Sequence, residues 1–437
     1  MAAFPADPME LLQTLRGSGL LANPAYYTAL VCGLFALWLL FKRGVSERAI
    51  WTAAIGLSVL IAIFVFMFSV PPSPFQDFTR AYWGAGRGVH SGWEGLSQHY
   101  GREVFGFVNL PILAYLFAPF ALLEPQPAAY IFTALGFGAV IFTWWKICAL
   151  YNFDLRTRVF SLFLIAAFGP LVYSFREANT THILLLPLVL AVSAMRNKQD
   201  LRAGALIATA ALIKPFLLLI GVVAFLRGRF RIAIGGGIVV IATTLLSLAV
   251  FGWDAHVHWY ETAIAPYSGA PLPAFNSQSI ASMLSRMERG PGAYWSFDVA
   301  PLADVFRIVL YAIYALLLAA FVWAAKPWRS LRADDRAFEG EMMIALTLSL
   351  IVSTLAWTHY FALTLLPVAW LWTQLQTHRE RWALAAAYVL AAPIVFYGVR
   401  MGEGDFGPAF YVLGSHVTVA ALIFYALLIR ARARLTP

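Results

Sequence analysis

The sequence predicts an all-α, polytopic membrane protein, and three observations carry that prediction. The 437 residues are 61% hydrophobic and 12% charged, against about 45–50% and about 25% in soluble domains. Mean hydropathy is +0.73. Long runs that are apolar on every face recur from end to end, which leaves no room for a separate soluble domain. One domain over 1–437 is expected, a bundle of roughly 11–13 transmembrane helices at about 20 apolar residues per crossing.

In chain order the expected spans are Tyr26–Phe41, Ala49–Val70, Leu110–Leu123, Ala128–Leu150, Val159–Leu171, Ile183–Ala194 and Ala203–Leu226. Then come Ile232–Phe251, Ala303–Ala325, Met342–Ala356, Tyr360–Leu375, Leu384–Tyr397 and Ala409–Ile429. Several are too short to cross upright and are expected to be tilted or broken. The N-terminal stretch 1–19 has no basic segment before its first apolar run, so an interfacial amphipathic segment is expected rather than a cleaved signal. Cys32 and Cys148 both lie inside apolar runs and are expected to pack rather than to form a disulfide or a metal site.

The net charge of +9 would suggest nucleic acid in a soluble protein. Here the basic residues sit in short loops, as the positive-inside rule requires, and no nucleic acid partner is expected. The loops at Lys42, Arg156, Arg196, Arg227, Lys326, Arg379 and Arg430 are assigned to the inner face. The segments 71–107, 173–181, 252–301, 357–359 and 399–407 then gather on the outer face. Parity fails twice. Two apolar segments separate 71–107 from the inner loop at Arg156, where an odd number of crossings is needed. Ala203–Leu226 joins two inner loops yet is long enough for only one crossing. Lys214 and Pro215 lie at its centre, and proline breaks a helix. A hairpin of two half-helices carrying Lys214 toward the outer side restores the count. Broken backbone at membrane depth must be buried in protein or line a cavity. The other anomaly falls in one half of Leu110–Leu150. No internal repeat of the kind that marks secondary transporters is visible.

The outer segments hold the candidate chemistry. Asp77 directly follows a span, where partial desolvation suits a carboxylate to general-base work, or where it caps the next helix. Arg80, Arg87 and Arg102 can clamp a phosphate or face lipid headgroups. Tyr82, Trp83, Trp93 and Tyr100 suit an aromatic belt or a sugar-stacking platform. Glu177, Asn179 and His182 can hydrogen-bond hydroxyls, or the polar residues there can cap the following helix. Lys214 is an intramembrane cation, a costly feature that calls for a partner such as a lipid phosphate. His256 and His258 with Asp254 and Glu261 give a weak metal pattern, with an amphipathic interfacial segment as the default. Asn276, Gln278 and Ser279, ahead of Arg286, form another polar patch. Trp357 and His359 lie between two apolar helices.

The order of these patches resembles glycosyltransferase family 87, polytopic enzymes of the GT-C superfamily. The first outer segment carries DFTRAYWGAGR (Asp77 to Arg87), then Asn109 with Pro111, Pro119 between Ala118 and Phe120, Gly169 with Pro170, Lys214 with Pro215, NSQSI from Asn276, and Trp357 with His359. The resemblance spans 50 to 370. The chain departs from the family pattern at Glu177, Ala178 and Asn179, where a Gly-Gln pair is expected. The resemblance implies an inverting hexosyltransferase, most naturally a mannosyltransferase. Its donor would be a polyprenyl-phosphate sugar, and its acceptor a lipid-linked glycan or glycolipid. The location implied is a bacterial cytoplasmic membrane, with the site facing the periplasm or exterior. Asp77 is then the catalytic base; Arg80, Arg87, Lys214 and His359 bind the donor phosphate; Tyr82, Glu177, Asn179, Asn276, Gln278 and Trp357 contact substrate. Besides membrane lipids, no cofactor or metal enters that scheme, since a phosphate monoester is already a good leaving group. The alternatives are a transporter or flippase of a lipid-linked saccharide, which would explain broken helices and an intramembrane lysine, and a lipid-glycan polymerase or ligase using 252–301 as its large outer loop.

Overall fold

The computed structural model describes residues 22–67, 74–101, 106–326, 334–393 and 408–435. The N-terminal segment, Arg102, Arg329, Arg332 and the outer stretch 399–407 lie outside them. Among the described residues every regular element is helical, and the protein is an all-α polytopic membrane protein. Two long helices come first, α1 (Ala22–Lys42) and α2 (Glu47–Met67). After the outer segment follow α3 (Pro125–Leu150), α4 (Leu155–Ala167), α5 (Gly169–Arg176) and α6 (Thr181–Arg196). Next are α7 (Asp200–Ile213), α8 (Leu218–Leu226), α9 (Phe230–Trp259) and α10 (Ile280–Arg289). The chain ends with α11 (Asp304–Ala325), α12 (Asp335–Val352), α13 (Leu365–Gln374), α14 (His378–Ala391), the short helix Pro408–Gly414 and α15 (His416–Arg434).

By length and composition, 6 helices can cross a bilayer among the described residues, or 7 if the pair α4–α5, bent by 53°, counts as one span. That is fewer than the expected 11–13 because several apolar runs are broken. The largest correction concerns Leu110–Leu123. It is no span but two 3-10 turns, Pro111–Leu116 and Phe120–Leu122, since Pro111 and Pro119 each remove an N–H that a continuous α-helix would use. One crossing, α3, therefore separates the outer segment from Arg156, and the first parity failure disappears. The run from Tyr360 likewise opens as a 3-10 turn, Thr358–Thr364, before α13.

The second anomaly is a hairpin. At Lys214 the backbone leaves the helical region (φ −128, ψ 87), and Pro215–Leu217 turns the chain back into α8. The two ends of the run meet, because Arg229 lies 3.9 Å from Asp200. The ascending half, α7, presses on α9 through glycines. A Cβ on Gly204 would strike the carbonyl oxygen of Ile232, and one on Gly235 that of Leu201. Small residues let membrane helices approach backbone to backbone in this way.

The base of the hairpin belongs to a face knitted by ion pairs. Glu341, fully buried, accepts from Arg227 Nε at 2.8 Å and from Arg432 Nη2 at 2.7 Å, and both arginines also donate to the Ala325 carbonyl. Arg196 grips Glu339 through two bonds of 2.9 Å, and Arg229 reaches Asp335. Glu380 takes Arg430 and Arg434. The arginines that signal topology in the sequence thus also clamp the fold. Removing one partner of a buried pair strands the other charge, at about 3–5 kcal/mol. Glu341→Ala strands two arginines and is expected to lower the melting temperature and folded yield in detergent sharply. Retention of wild-type melting would show that the cluster does not hold these helices.

Candidate active site

Three helices carry the chain from the ion-paired face to the opposite one. α6 runs down to Arg196 from Thr181, α7 rises from Asp200 to Lys214, and α12 rises from Asp335 toward Trp357. At 1.5 Å per residue these are about 20–27 Å long, so their far ends meet at a common depth. The segment expected as a loop is largely helical there: a π-turn over Phe78–Tyr82, a helix over Trp83–Gly88 and another over Gly92–Ser97. Glycines allow its close packing, since a Cβ on Gly86 would lie 2.5 Å from the Phe117 backbone.

Asp77 opens this segment without capping it, as its side chain makes no cap hydrogen bond. The segment is tied to the end of α5 instead: Phe75 N–H donates to the Arg176 carbonyl at 2.6 Å and Phe78 N–H to the Glu177 carbonyl at 3.2 Å. Arg176 in turn donates to the Phe66 carbonyl and stacks on the Phe66 ring, fixing the C-terminal end of α2. Asp77 Oδ2 accepts from Asn179 Nδ2 at 2.7 Å and lies 3.9 Å from His359 Nε2. The Asp77 side chain keeps 31% of its surface open, so a ligand can reach it. Arg80 is exposed and bears on Asp77 and Glu177 by charge.

Lys214 is buried at the hairpin apex, its Nζ 4.0 Å from the centre of the Tyr360 ring. Its charge acts on Asp77. The break beside it leaves the Ile213 carbonyl without a helical partner, and Asn109 Nδ2 donates to it at 2.8 Å. Asn109 is itself held by Tyr100, whose hydroxyl donates to the Asn109 carbonyl at 3.0 Å. On the other side, Asn276 and Ser277 pair with Trp357 and Thr358, with Thr358 N–H donating to the Asn276 carbonyl at 2.7 Å. Asn276 Nδ2 donates to the Tyr173 hydroxyl, and the Tyr173 ring packs on His359 at 5.7 Å between centroids.

Buried polar atoms in this region that have no hydrogen-bond partner include Nδ1 and Nε2 of His359, Oδ1 of Asn276, Oε1 of Glu177 and Nε2 of His182. Buried polar groups are nearly always paired, so such a concentration calls for a ligand. Burial pushes the Asp77 carboxyl above its ordinary range, against the pull of the Asn179 hydrogen bond and the charges of Lys214 and Arg80. Burial, with the Asp77 charge beside it, also pushes Glu177 up. Of the two, Asp77 has the hydrogen bond, the nearby cations and the open surface, so it is the better-stabilised anion.

The geometry therefore joins an accessible carboxylate, a buried ammonium and an unpartnered imidazole on a membrane scaffold. The model of glycosyltransferase family 87 matches residues 107–354, more than half of the chain. The chain belongs to glycosyltransferase family 87. Among curated proteins and solved structures, nothing matches it. The protein is accordingly a glycosyltransferase, and the family model covers Glu177, Asn179, Lys214, Asn276 and Gln278 but stops short of Asp77 and His359.

Not every candidate residue of this family 87 protein reaches the cluster. Arg87 is exposed and lies over the Trp83 ring at 5.4 Å. Trp357 stacks on Phe297 at 6.5 Å. Gln278 is fully buried and donates to the carbonyls of Phe275 and Gly414, which ties that segment to the C-terminal helices. Tyr82 is buried, stacked on Phe117 at 4.7 Å, so it belongs to neither an exposed belt nor an open platform. His182 is buried against Phe175, Phe132 and Gly136, with Nδ1 on Ser174 and Nε2 without a partner. His256 bonds the Gly252 carbonyl and Ser247 with its two nitrogens, so the weak metal pattern resolves as structure. Tyr173, the first residue of the segment 173–181, and Tyr360, at the start of an apolar run, are the residues of this cluster to which sequence reasoning assigned no role.

Proposed function

We propose that the protein is an inverting hexosyltransferase of the outer membrane face. It moves a sugar, most naturally mannose, from a polyprenyl-phosphate donor to a hydroxyl of a lipid-linked glycan or glycolipid. The observation that carries this is Asp77, a partly open carboxylate flanked by the Lys214 ammonium and 3.9 Å from His359. A carboxylate alone would serve many reactions. Set beside a buried cation on a membrane scaffold, it suits transfer from a donor whose isoprenoid tail stays in the bilayer.

In this mechanism the acceptor oxygen attacks the anomeric carbon while Asp77 takes its proton. The bond from that carbon to the phosphate oxygen breaks, and its electron pair leaves with the polyprenyl phosphate. Lys214, with Arg80 at the rim, stabilises the charge growing on that oxygen. The N–H of the His359 ring can donate to a phosphate or sugar oxygen, while its other nitrogen and Asn276 Oδ1 can accept from sugar hydroxyls. A β-linked donor gives an α-linked product. The positive-inside pattern supports placing the Asp77 face outside the cytoplasmic membrane.

Asp77→Asn is expected to retain donor binding and fold while turnover with a polyprenyl-phosphate hexose falls by about 10²–10⁴-fold. Near wild-type single-turnover rates would remove Asp77 as the base. Because the base acts deprotonated and its pKa is raised, activity is lost as pH falls through a value above the ordinary carboxylate range. A pH profile of kcat/KM whose acid limb lies at or below that range would contradict the assignment. Lys214→Met should weaken donor binding by about 10- to 100-fold, as expected for a lost hydrogen bond to a charged group, with melting little changed. Unchanged affinity together with a destabilised fold would instead make Lys214 a structural partner of Asp77.

A further inference from the structure

We infer that Asn179 is a positioning residue, which aims and holds the Asp77 carboxylate and does not itself touch the sugar or the acceptor. The inference rests on the assignment of Asp77 as the base, and it starts from a count of hydrogen bonds. A carboxamide offers two N–H donors and two acceptor lone pairs. At Asn179 all four are used within the protein. Oδ1 accepts from Thr181 N–H at 3.0 Å and from Thr181 Oγ1 at 2.7 Å. Nδ2 donates to Asp77 Oδ2 at 2.7 Å and to the Tyr82 hydroxyl at 3.3 Å. The residue is 3% exposed, so no face is left for substrate.

The same contacts fix which way the amide points. A flipped amide would aim Nδ2 at the Thr181 N–H, donor against donor, and Oδ1 at the Asp77 carboxylate, acceptor against acceptor. Only one orientation satisfies both ends, so the N–H is locked onto the Asp77 oxygen. The backbone is committed to this arrangement too. Ala178 sits in the left-handed region at φ 47, and Asn179 N–H closes the turn onto the Ser174 carbonyl at 2.9 Å. A non-glycine residue held at positive φ is over-determined by its surroundings. Tyr82, which receives the second N–H, is anchored in turn at Thr180 Oγ1 and on the Phe117 ring. With one Asp77 oxygen held by Asn179, the carboxylate keeps its remaining lone pairs for the incoming hydroxyl.

Serine at 179 separates positioning from structure. Its short side chain can still accept from Thr181 N–H in the local turn, but it is too short to reach Asp77. Asn179→Ser is expected to melt close to wild type. Its kcat should be about 10- to 100-fold lower with the donor KM unchanged, and the acid limb of the profile should move to higher pH. A raised donor or acceptor KM with the profile unmoved would make Asn179 a substrate contact and overturn the inference, as would wild-type kinetics throughout. Asn179→Asp, which sets a second carboxylate against Asp77, should move the acid limb further in the same direction. Infrared titration of Asp77, identified by its disappearance in Asp77→Asn, gives a readout without turnover. If wild-type protein transfers no sugar from any polyprenyl-phosphate hexose, the proposed function fails. The titration still decides the role of Asn179: a higher Asp77 midpoint in Asn179→Ser supports it, and an unchanged midpoint refutes it.

Discussion

The whole arrangement depends on one constraint: a peptide chain that stops being helical within a membrane must have its freed polar groups satisfied by protein. At Lys214 and Pro215 the chain does stop, and the solution organises everything near it. Asn109 takes the stranded Ile213 carbonyl, Tyr100 holds Asn109, and the outer segment that carries Asp77 is thereby tied to the hairpin apex. The 3-10 turn Pro111–Leu116 comes just after Asn109 and is pinned to α9, where Ile112 N–H donates to Ser247 Oγ at 3.3 Å. Breaking one helix therefore requires a second irregular segment beside it, and the space between them is where polar side chains can gather without facing lipid.

The two faces of the protein consequently obey different rules. On one, the buried acids are answered by arginines: Glu339, Glu341 and Glu380 are each buried and paired. On the other, His359, Asn276 and Glu177 keep polar atoms unpaired around a carboxylate that stays partly open. A scaffold closed tightly at one end and unsatisfied at the other suits a fixed site that waits for a ligand. It suits less well a carrier that must open to both sides.

Composition made the fold class legible, and helix-breaking prolines made the irregular segments legible. The hairpin at Lys214 could be read because parity failed and a proline lay where the failure had to be repaired. Leu110–Leu123 misled because hydropathy counts apolar residues without asking whether each can donate a hydrogen bond, and Pro111 and Pro119 cannot. Lys214 stood out as a charge inside an apolar run, His359 as a polar residue between two apolar helices, and Asp77 and Asn276 as members of polar segments on one face. Tyr173 and Tyr360 did not, since an aromatic residue in a membrane helix looks the same whether it faces lipid or supports a histidine or an ammonium. Asn179 was legible as a hydrogen-bonding residue. That its valences are all spent inside the protein is a property of three dimensions, where Thr181, Asp77 and Tyr82 converge. The ion pairs were half visible: the arginines were read as orientation signals, while the buried acids that answer them lie within α12 and at the start of α14.

The glycine contact between α7 and α9 bears on the lipid around the protein. Gly204 and Gly235 bring main chain against main chain, so no side chain can yield to let one helix slide along the other. Bilayers differ in thickness by a few ångströms, and most spans respond by changing tilt. The peripheral helices α1, α2 and α11 can do so, since much of their surface faces outward. The hairpin cannot, with its foot held by Asp200 and Arg229 and its shaft seated on α9. The height of Lys214 above the ion-paired face is then a property of the polypeptide rather than of the membrane. A protein built this way keeps Lys214 and the side chains around it in register as lipid composition changes, and leaves the adjustment to the peripheral helices.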